Sequence, residues 1–185
     1  MNNSVKNNKA ADHLRNPAEY AVLGALARGP AHGYDLYHDL ATGVGTIWAL
    51  GISQIYALLG RLEHEGLVSH QRHAQEKRPD RKIFTLTNEG EKIFKEWVGQ
   101  PVRHVRDLRL EFLSKLHFAR ETGRGAAARL IRSQIALLEE KYQGMRQKGK
   151  SLKTFMETQA LRYRQLQTKA AITWLQELLE TEMKA

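Results

Sequence analysis

Apolar residues recur with a helical period along most of this chain, and the one stretch that departs from it is short. Asn16-Pro17-Ala18-Glu19 supplies an N-cap, a proline at N1 and an acid at N3, a combination that starts helices. The first helix then runs through Tyr20 to Ala27 and stops at Gly29-Pro30. A second is expected from about His32 to Leu40, with Leu36, Tyr37 and Leu40 apolar, and Gly43 and Gly45 break it. In a third, Ile55, Leu58, Leu59 and Leu62 make one buried stripe. Ser53 is its expected N-cap, and Gly66 supplies the left-handed position that stops it. The period changes there, since Leu67, Val68 and later Ile83, Phe84 and Leu86 have the β-branched and aromatic bias of short strands. Thr87 then caps a fourth helix, striped by Ile93, Phe94, Trp97 and Val98 and ended by Gln100-Pro101.

Beyond that proline the pattern is helical throughout. A helix near Asp107–Phe118 precedes a break at Gly123-Arg124-Gly125. In Ala126–Tyr142, the residues Ile131, Ile135, Leu138 and Tyr142 fall on one face, a candidate dimerisation contact. A basic stretch, Gly144–Lys153, separates this from a final helix of roughly 30 residues, a length that suggests coiled-coil packing. Tyr163, Leu166, Ala170 and Trp174 form one stripe on it, with Ile172, Leu175 and Leu179 close by. A single short neighbour cannot cover an apolar swath this wide, so burial against a second copy of the chain is expected. The fold class is mainly α with a small β-wing: a winged helix-turn-helix domain followed by a C-terminal helical, coiled-coil-like dimerisation domain. The expected divisions are a flexible tail at 1–16, the winged helix at 17–100 and the dimerisation domain at 101–185.

Composition narrows the function. The 185 residues contain no cysteine, which excludes disulfides, thiolate metal sites and cysteine nucleophiles. No apolar run approaches the ~20 residues that span a bilayer, and the polar start lacks the apolar core of a secretory signal. A cytoplasmic location without membrane association is therefore expected. The formal charge of +9 and pI of about 9.9 favour a polyanionic partner. Charge is unevenly placed, however: of 29 Lys+Arg and 20 Asp+Glu, residues 1–100 hold 12 and 11, leaving 17 and 9 for residues 101–185. The DNA reading must therefore rest on local geometry.

That geometry lies in Gly51–Lys82. Off the buried stripe of the third helix, Gln54, Ala57, Gly60, Arg61 and His64 make a small or hydrogen-bonding face. The two strands after it enclose Arg72, Lys77, Arg78, Arg81 and Lys82 around Pro79-Asp80. A helix for the major groove followed by a charged wing for phosphates suits duplex DNA. Gln54 and Arg61 are candidate bidentate readers of adenine and guanine, against the plainer reading of two solvated helix residues. Tyr56 either donates to a phosphate or packs under the wing.

Other constellations are weaker. Gly144 to Ser151 satisfies the Walker A pattern literally, but a helical pattern rather than a strand precedes it and no parallel sheet is legible. Solvated cations, or added affinity for the DNA backbone, fit that stretch better. His64, His70 and His73 follow no metal-site spacing, and no carboxylates form an acid/base constellation. Neither a metal, a cofactor nor an enzymatic activity is expected. A winged-helix protein-interaction adaptor, with the wing merely solvated, is the alternative to the DNA reading.

Three runs together, Ala21–Leu40, Gln54–Ser69 and Pro79–Trp97, resemble the PadR family of transcriptional regulators. The landmarks are the turn Pro30-Ala31-His32-Gly33-Tyr34, the Tyr56–Leu62 core and the wing exit Arg81-Lys82, Leu86-Thr87 and Gly90. Arg106–Leu116 and Trp174–Leu179 resemble the virulence-activator type of C-terminal domain in that family. The resemblance implies a dimeric bacterial regulator on inverted-repeat operators, with the third helix in the major groove and the wing on the backbone. By position, Ser53, Gln54, Tyr56, Ala57 and Arg61 would face DNA, Arg78, Arg81 and Lys82 would contact phosphate, and His32 and Tyr34 would lie against the backbone. It also implies a small aromatic or cationic effector beside the dimer interface, for which Trp48, Trp97, Phe112 and Trp174 are candidate contacts; packing is the ordinary alternative for such residues. Gly60 departs from the pattern, because many members carry a larger, often basic residue there.

Overall fold

In the computed structural model the described residues are 16–75, 78–123, 125–149 and 154–184, with backbone alone for 72–75 and 78–81. The tail before residue 16, which carries the expectation of flexibility, lies outside them. The order is α1 (Pro17–Leu26), β1 (Ala31–His32), α2 (Gly33–Thr42), a 3-10 turn (Val44–Thr46), α3 (Ile52–His64), β2 (Val68–Gln75), β3 (Arg78–Leu86) and α4 (Asn88–Gly99). A second 3-10 turn (Val105–Leu108), α5 (Glu111–Ala119), α6 (Ala126–Lys148) and α7 (Phe155–Lys184) complete the chain. The protein is thus mainly α with a small antiparallel sheet. Among the described residues no helix is long and apolar enough to cross a membrane, and no cluster of three His, Asp or Glu could hold a metal.

Two compact units divide the chain: one holds the residues through Val98 together with Leu113–Phe118, the other Gly99–Phe112 and Ala119–Ala185. In the first, Asn16 caps α1 as its sequence requires, its side chain accepting from the Ala18 N–H at 3.0 Å while Glu19 reaches back to the Asn16 N–H. Almost all of α1 is buried. Leu36 and Leu40 of α2, Ile55, Leu58, Leu59 and Leu62 of α3, and Ile93, Phe94, Trp97 and Val98 of α4 complete the core. The α3 and α4 stripes are those read from periodicity. Phe118, from α5, fills a slot beside Gly24: a Cβ on that glycine would meet the Phe118 ring at 2.7 Å. The Phe94 ring lies edge-on to Phe118.

The sheet has three strands in the order β1-β3-β2, one more than expected. The extra strand is two residues long, pairing Ala31 with Phe84 and His32 with Ile83, and so brief a run carries no alternation to detect. Thr87 ties the sheet to α4. Its hydroxyl accepts from the Gly90 N–H at 3.1 Å and lies 2.9 Å and 3.0 Å from the Gly66 and Leu67 carbonyl oxygens. Gly90 is required here, because a Cβ would sit 2.2 Å from the Leu67 oxygen.

In the second unit α6 packs along α7. Ile131 and Leu138 are fully buried within the chain itself, which corrects their assignment to a dimer contact: α6 spends that face on its own protomer. Gln134, on the same stripe, is also fully buried, and its amide clamps Val102, accepting from the N–H at 2.7 Å and donating to the carbonyl at 3.0 Å. Ile135 and Tyr142 are half-buried. The basic stretch after Tyr142 is not a loop at first, since α6 continues to Lys148. Gly144 to Lys148 are therefore helical, which is incompatible with a phosphate-cradling loop; Lys150 and Ser151 lie outside the described residues.

Candidate nucleic-acid interface

The third helix starts two residues earlier than its sequence suggested. Gly51, not Ser53, is the N-cap, and the Gln54 side chain accepts from the Gly51 N–H at 2.8 Å. Ser53 therefore sits within the first turn, exposed. A helix amide needs an acceptor wherever the turn begins, and glutamine at N3 supplies it while glycine accepts the extended conformation before the helix. Gln54 thus has a capping duty beside any role in reading bases.

With the stripe buried, α3 presents Ile52, Ser53, Gln54, Tyr56, Ala57, Gly60, Arg61 and His64 to solvent. Ile52 (40% exposed) belongs to this face and escaped notice among polar candidates; its signal was a position just outside the buried stripe. An apolar side chain there suits a thymine methyl group. No atom lies within 4 Å of where a Gly60 Cβ would stand, so the middle of the face is flat and open.

Tyr56 leans across to α2. A Cβ on Gly33 would meet its ring at 2.7 Å and its hydroxyl oxygen at 3.1 Å, so Gly33 makes room for the tyrosine. Both readings of Tyr56 keep support, since it packs on α2 while 42% exposed. His32 caps α2, its Nδ1 accepting from the Tyr34 N–H at 3.2 Å. Tyr34 is half exposed and its ring lies 4.4 Å from His38, edge-on.

Arg61 is engaged inside the domain. Its Nη1 lies 2.5 Å from Oε1 of Glu19, a carboxylate only 2% exposed, while the arginine side chain stays 53% exposed. Sequence reading placed Glu19 at N3 of α1 but missed this partner 42 residues away, since nothing local announces it. Arg61 consequently joins α1 to α3 before it meets any ligand.

The wing places its cations in register. Arg72 stands opposite Lys82 and His73 opposite Arg81 across the β2–β3 ladder, with a bulge before Gln75 pairs with Arg78. Lys82 is half-buried; the side chains of Arg78 and Arg81 lie outside the described residues. At the wing base, His70 pairs with Glu63 of α3, fixing hairpin to helix.

The four candidate effector contacts differ in burial and in what they touch. Trp97 is core: Tyr20 stacks on it at 4.5 Å and the Lys115 ammonium lies 5.1 Å from its ring centroid. Phe112 is fully buried, edge-on to Trp174. Both are corrections, because neither leaves a face for a ligand. Trp48 has a buried indole N–H with no hydrogen-bond partner among the described residues. Trp174 is 37% exposed and lines a shallow depression with Leu166, Lys169 and Ala170.

A helix-turn-helix with one exposed face, followed by a two-stranded hairpin, defines a winged-helix domain. Residues 22–96 match the model of the family described as Transcriptional regulator PadR-like family. The chain is 32% identical over 120 residues to the negative transcriptional regulator PadR of Bacillus subtilis, covering 63% of this chain and 64% of that one. It is 26% identical over 179 residues to a probable transcriptional regulator of Mycobacterium tuberculosis, covering 87% and 95%. Among solved structures, Bacillus subtilis PadR in complex with operator DNA overlays with a TM-score of 0.45 at 25% identity, covering 90% of this chain and 99% of that one. Residues 22–96 are thus similar to the domain of PadR-like transcriptional regulators. The match spans just under two thirds of the Bacillus regulator's length.

Proposed function

We propose that this chain is a sequence-specific, duplex-DNA-binding regulator acting as a homodimer on inverted-repeat operators. The observation that carries the reading is the solvent-facing side of α3, which is small, hydrogen-bonding and flat at Gly60. That helix enters the major groove, where Ser53, Gln54, Tyr56 and Ala57 meet base edges and sugar-phosphate; Arg61 reads a base only with the part of its guanidinium that Glu19 leaves over. Arg78, Arg81 and Lys82 take phosphates, and His32 and Tyr34 approach the backbone at the start of α2. The second copy covers Tyr163, Leu166, Ala170 and Trp174 on α7, of which Tyr163 and Leu166 are 63% and 59% exposed; Ile135 and Tyr142 lie at its margin. A small aromatic effector belongs to the same proposal, with Trp174 as its contact.

Random-duplex selection with purified protein tests the reading. A palindromic site with half-sites about one or more helical turns apart is expected, with affinity falling steeply as salt rises. Failure to retain any duplex at low salt would leave the protein-interaction adaptor as the reading.

A further inference from the structure

Most of the chain's surplus positive charge lies beyond residue 100, where neither the recognition helix nor the wing can use it. Five of those cations line one cleft of about 580 Å³ in the second unit: Arg103 and Arg106 beside the 3-10 turn, Lys141 and Lys148 on α6, and Arg164 on α7. Glu140 is the one carboxylate among the described residues lining it, and Arg106 is also paired with its neighbour Asp107 at 3.6 Å. Three separate elements thus deliver cations to one concavity, which a merely solvated charged face would not require. Between them Val105, Met145 and the buried Leu138 give apolar lining, beside the polar His104, Gln167 and Thr168. One wall is fastened, because the Lys141 ammonium donates to the Arg103 carbonyl.

A cleft with cations around low-polarity walls focuses the field on whatever enters it. Arginine forks match phosphate oxygens in pairs, and the volume falls within the range of small-molecule sites. One carboxylate ligand would leave most of this charge unanswered, and bare pyrophosphate would leave the apolar lining unused. We propose that the cleft binds a small organic phosphate carrying two or more negative charges. Binding is by side chains across α6 and α7. It does not use a phosphate-cradling loop, since Gly144 to Lys148 are helical. The inference stands apart from the DNA reading, which uses residues of the other unit.

Isothermal titration calorimetry on the full-length protein, with ADP, pyrophosphate and adenosine as probes, tests it. ADP is expected to bind one site per chain, pyrophosphate more weakly, and adenosine not at all. Arg103→Gln/Arg164→Gln removes two exposed cations and is expected to weaken ADP at least tenfold. Lys92→Gln/Lys95→Gln, which removes the same charge from α4, is expected to leave binding unchanged. If the first double variant melts lower than the parent, the loss is read from Arg164→Gln alone. Absence of saturable ADP binding overturns the proposal, as does an equal loss in both double variants. A duplex whose binding falls in the Arg103→Gln/Arg164→Gln protein while ADP does not bind also overturns it, in favour of a nucleic-acid contact.

Discussion

Replacing Arg61 by alanine separates two roles that one side chain could play. If Arg61 only reads a base, Arg61→Ala lowers specific DNA affinity by about 1–3 kcal/mol and leaves stability alone. The pair with Glu19 predicts otherwise. A carboxylate 2% exposed would lose the Arg61 guanidinium while staying buried. Breaking a buried pair in this way costs about 3–5 kcal/mol, whereas an exposed pair contributes about 1 kcal/mol or less. Here one partner is buried and the other 53% exposed, so solvent screens part of the interaction and about 2 kcal/mol is expected. For a chain of this length that lowers Tm by about 4–8 °C. Glu19→Gln keeps an acceptor for the Asn16 N–H and removes the buried charge, so adding it to Arg61→Ala should restore part of the loss. Thermal melts of the two single variants and the double variant close the cycle. A Tm for Arg61→Ala within about 1 °C of the parent (about 0.3 kcal/mol), together with reduced DNA binding, would refute the structural role and return Arg61 wholly to base reading.

Gly60→Ala should stabilise the protein by about 1 kcal/mol, since its Cβ would enter open space; a melt that falls instead would contradict the exposed, regular helix at this position. Its effect on operator affinity then reads how closely the α3 backbone approaches DNA. Gly90→Ala drives a Cβ to 2.2 Å from the Leu67 oxygen and should cost about 3 kcal/mol, measured by denaturant unfolding. A cost below about 0.5 kcal/mol would mean that the strand-to-helix joint yields freely. Leu166→Glu/Trp174→Glu should convert a dimer to a monomer in sedimentation velocity. A parent protein already monomeric at micromolar concentration removes the α7 interface.

Local chemistry made much of the first unit legible. The α1 cap, the buried stripes of α3 and α4 and the Thr87 cap each depend on residues within one or two turns of one another, which a sequence displays side by side. What escaped notice depends on distant partners. The Glu19–Arg61 pair, the Phe118 slot at Gly24 and the β1 pairing join residues whose proximity only the completed fold creates. The α3 cap failed for a subtler reason: Ser53 is the better capping residue in isolation, but Gln54 at N3 makes glycine sufficient two positions earlier. In the second unit, periodicity found the α6 stripe but could not say which protomer covers it. Ile131 and Leu138 proved to be internal, and Gln134 on that stripe passed for a polar interruption although it is among the most buried residues.

Leu113–Phe118 belongs to the first unit although the chain has by then already traversed Gly99–Phe112 of the second. A winged helix cut at residue 100 would retain every strand and helix through α4 yet lack the ring that fills the slot beside Gly24 and the ammonium that covers Trp97. During synthesis the same order imposes a delay. The contacts of the amino-terminal unit are complete only once residue 118 has left the ribosome, later than its own contiguous sequence.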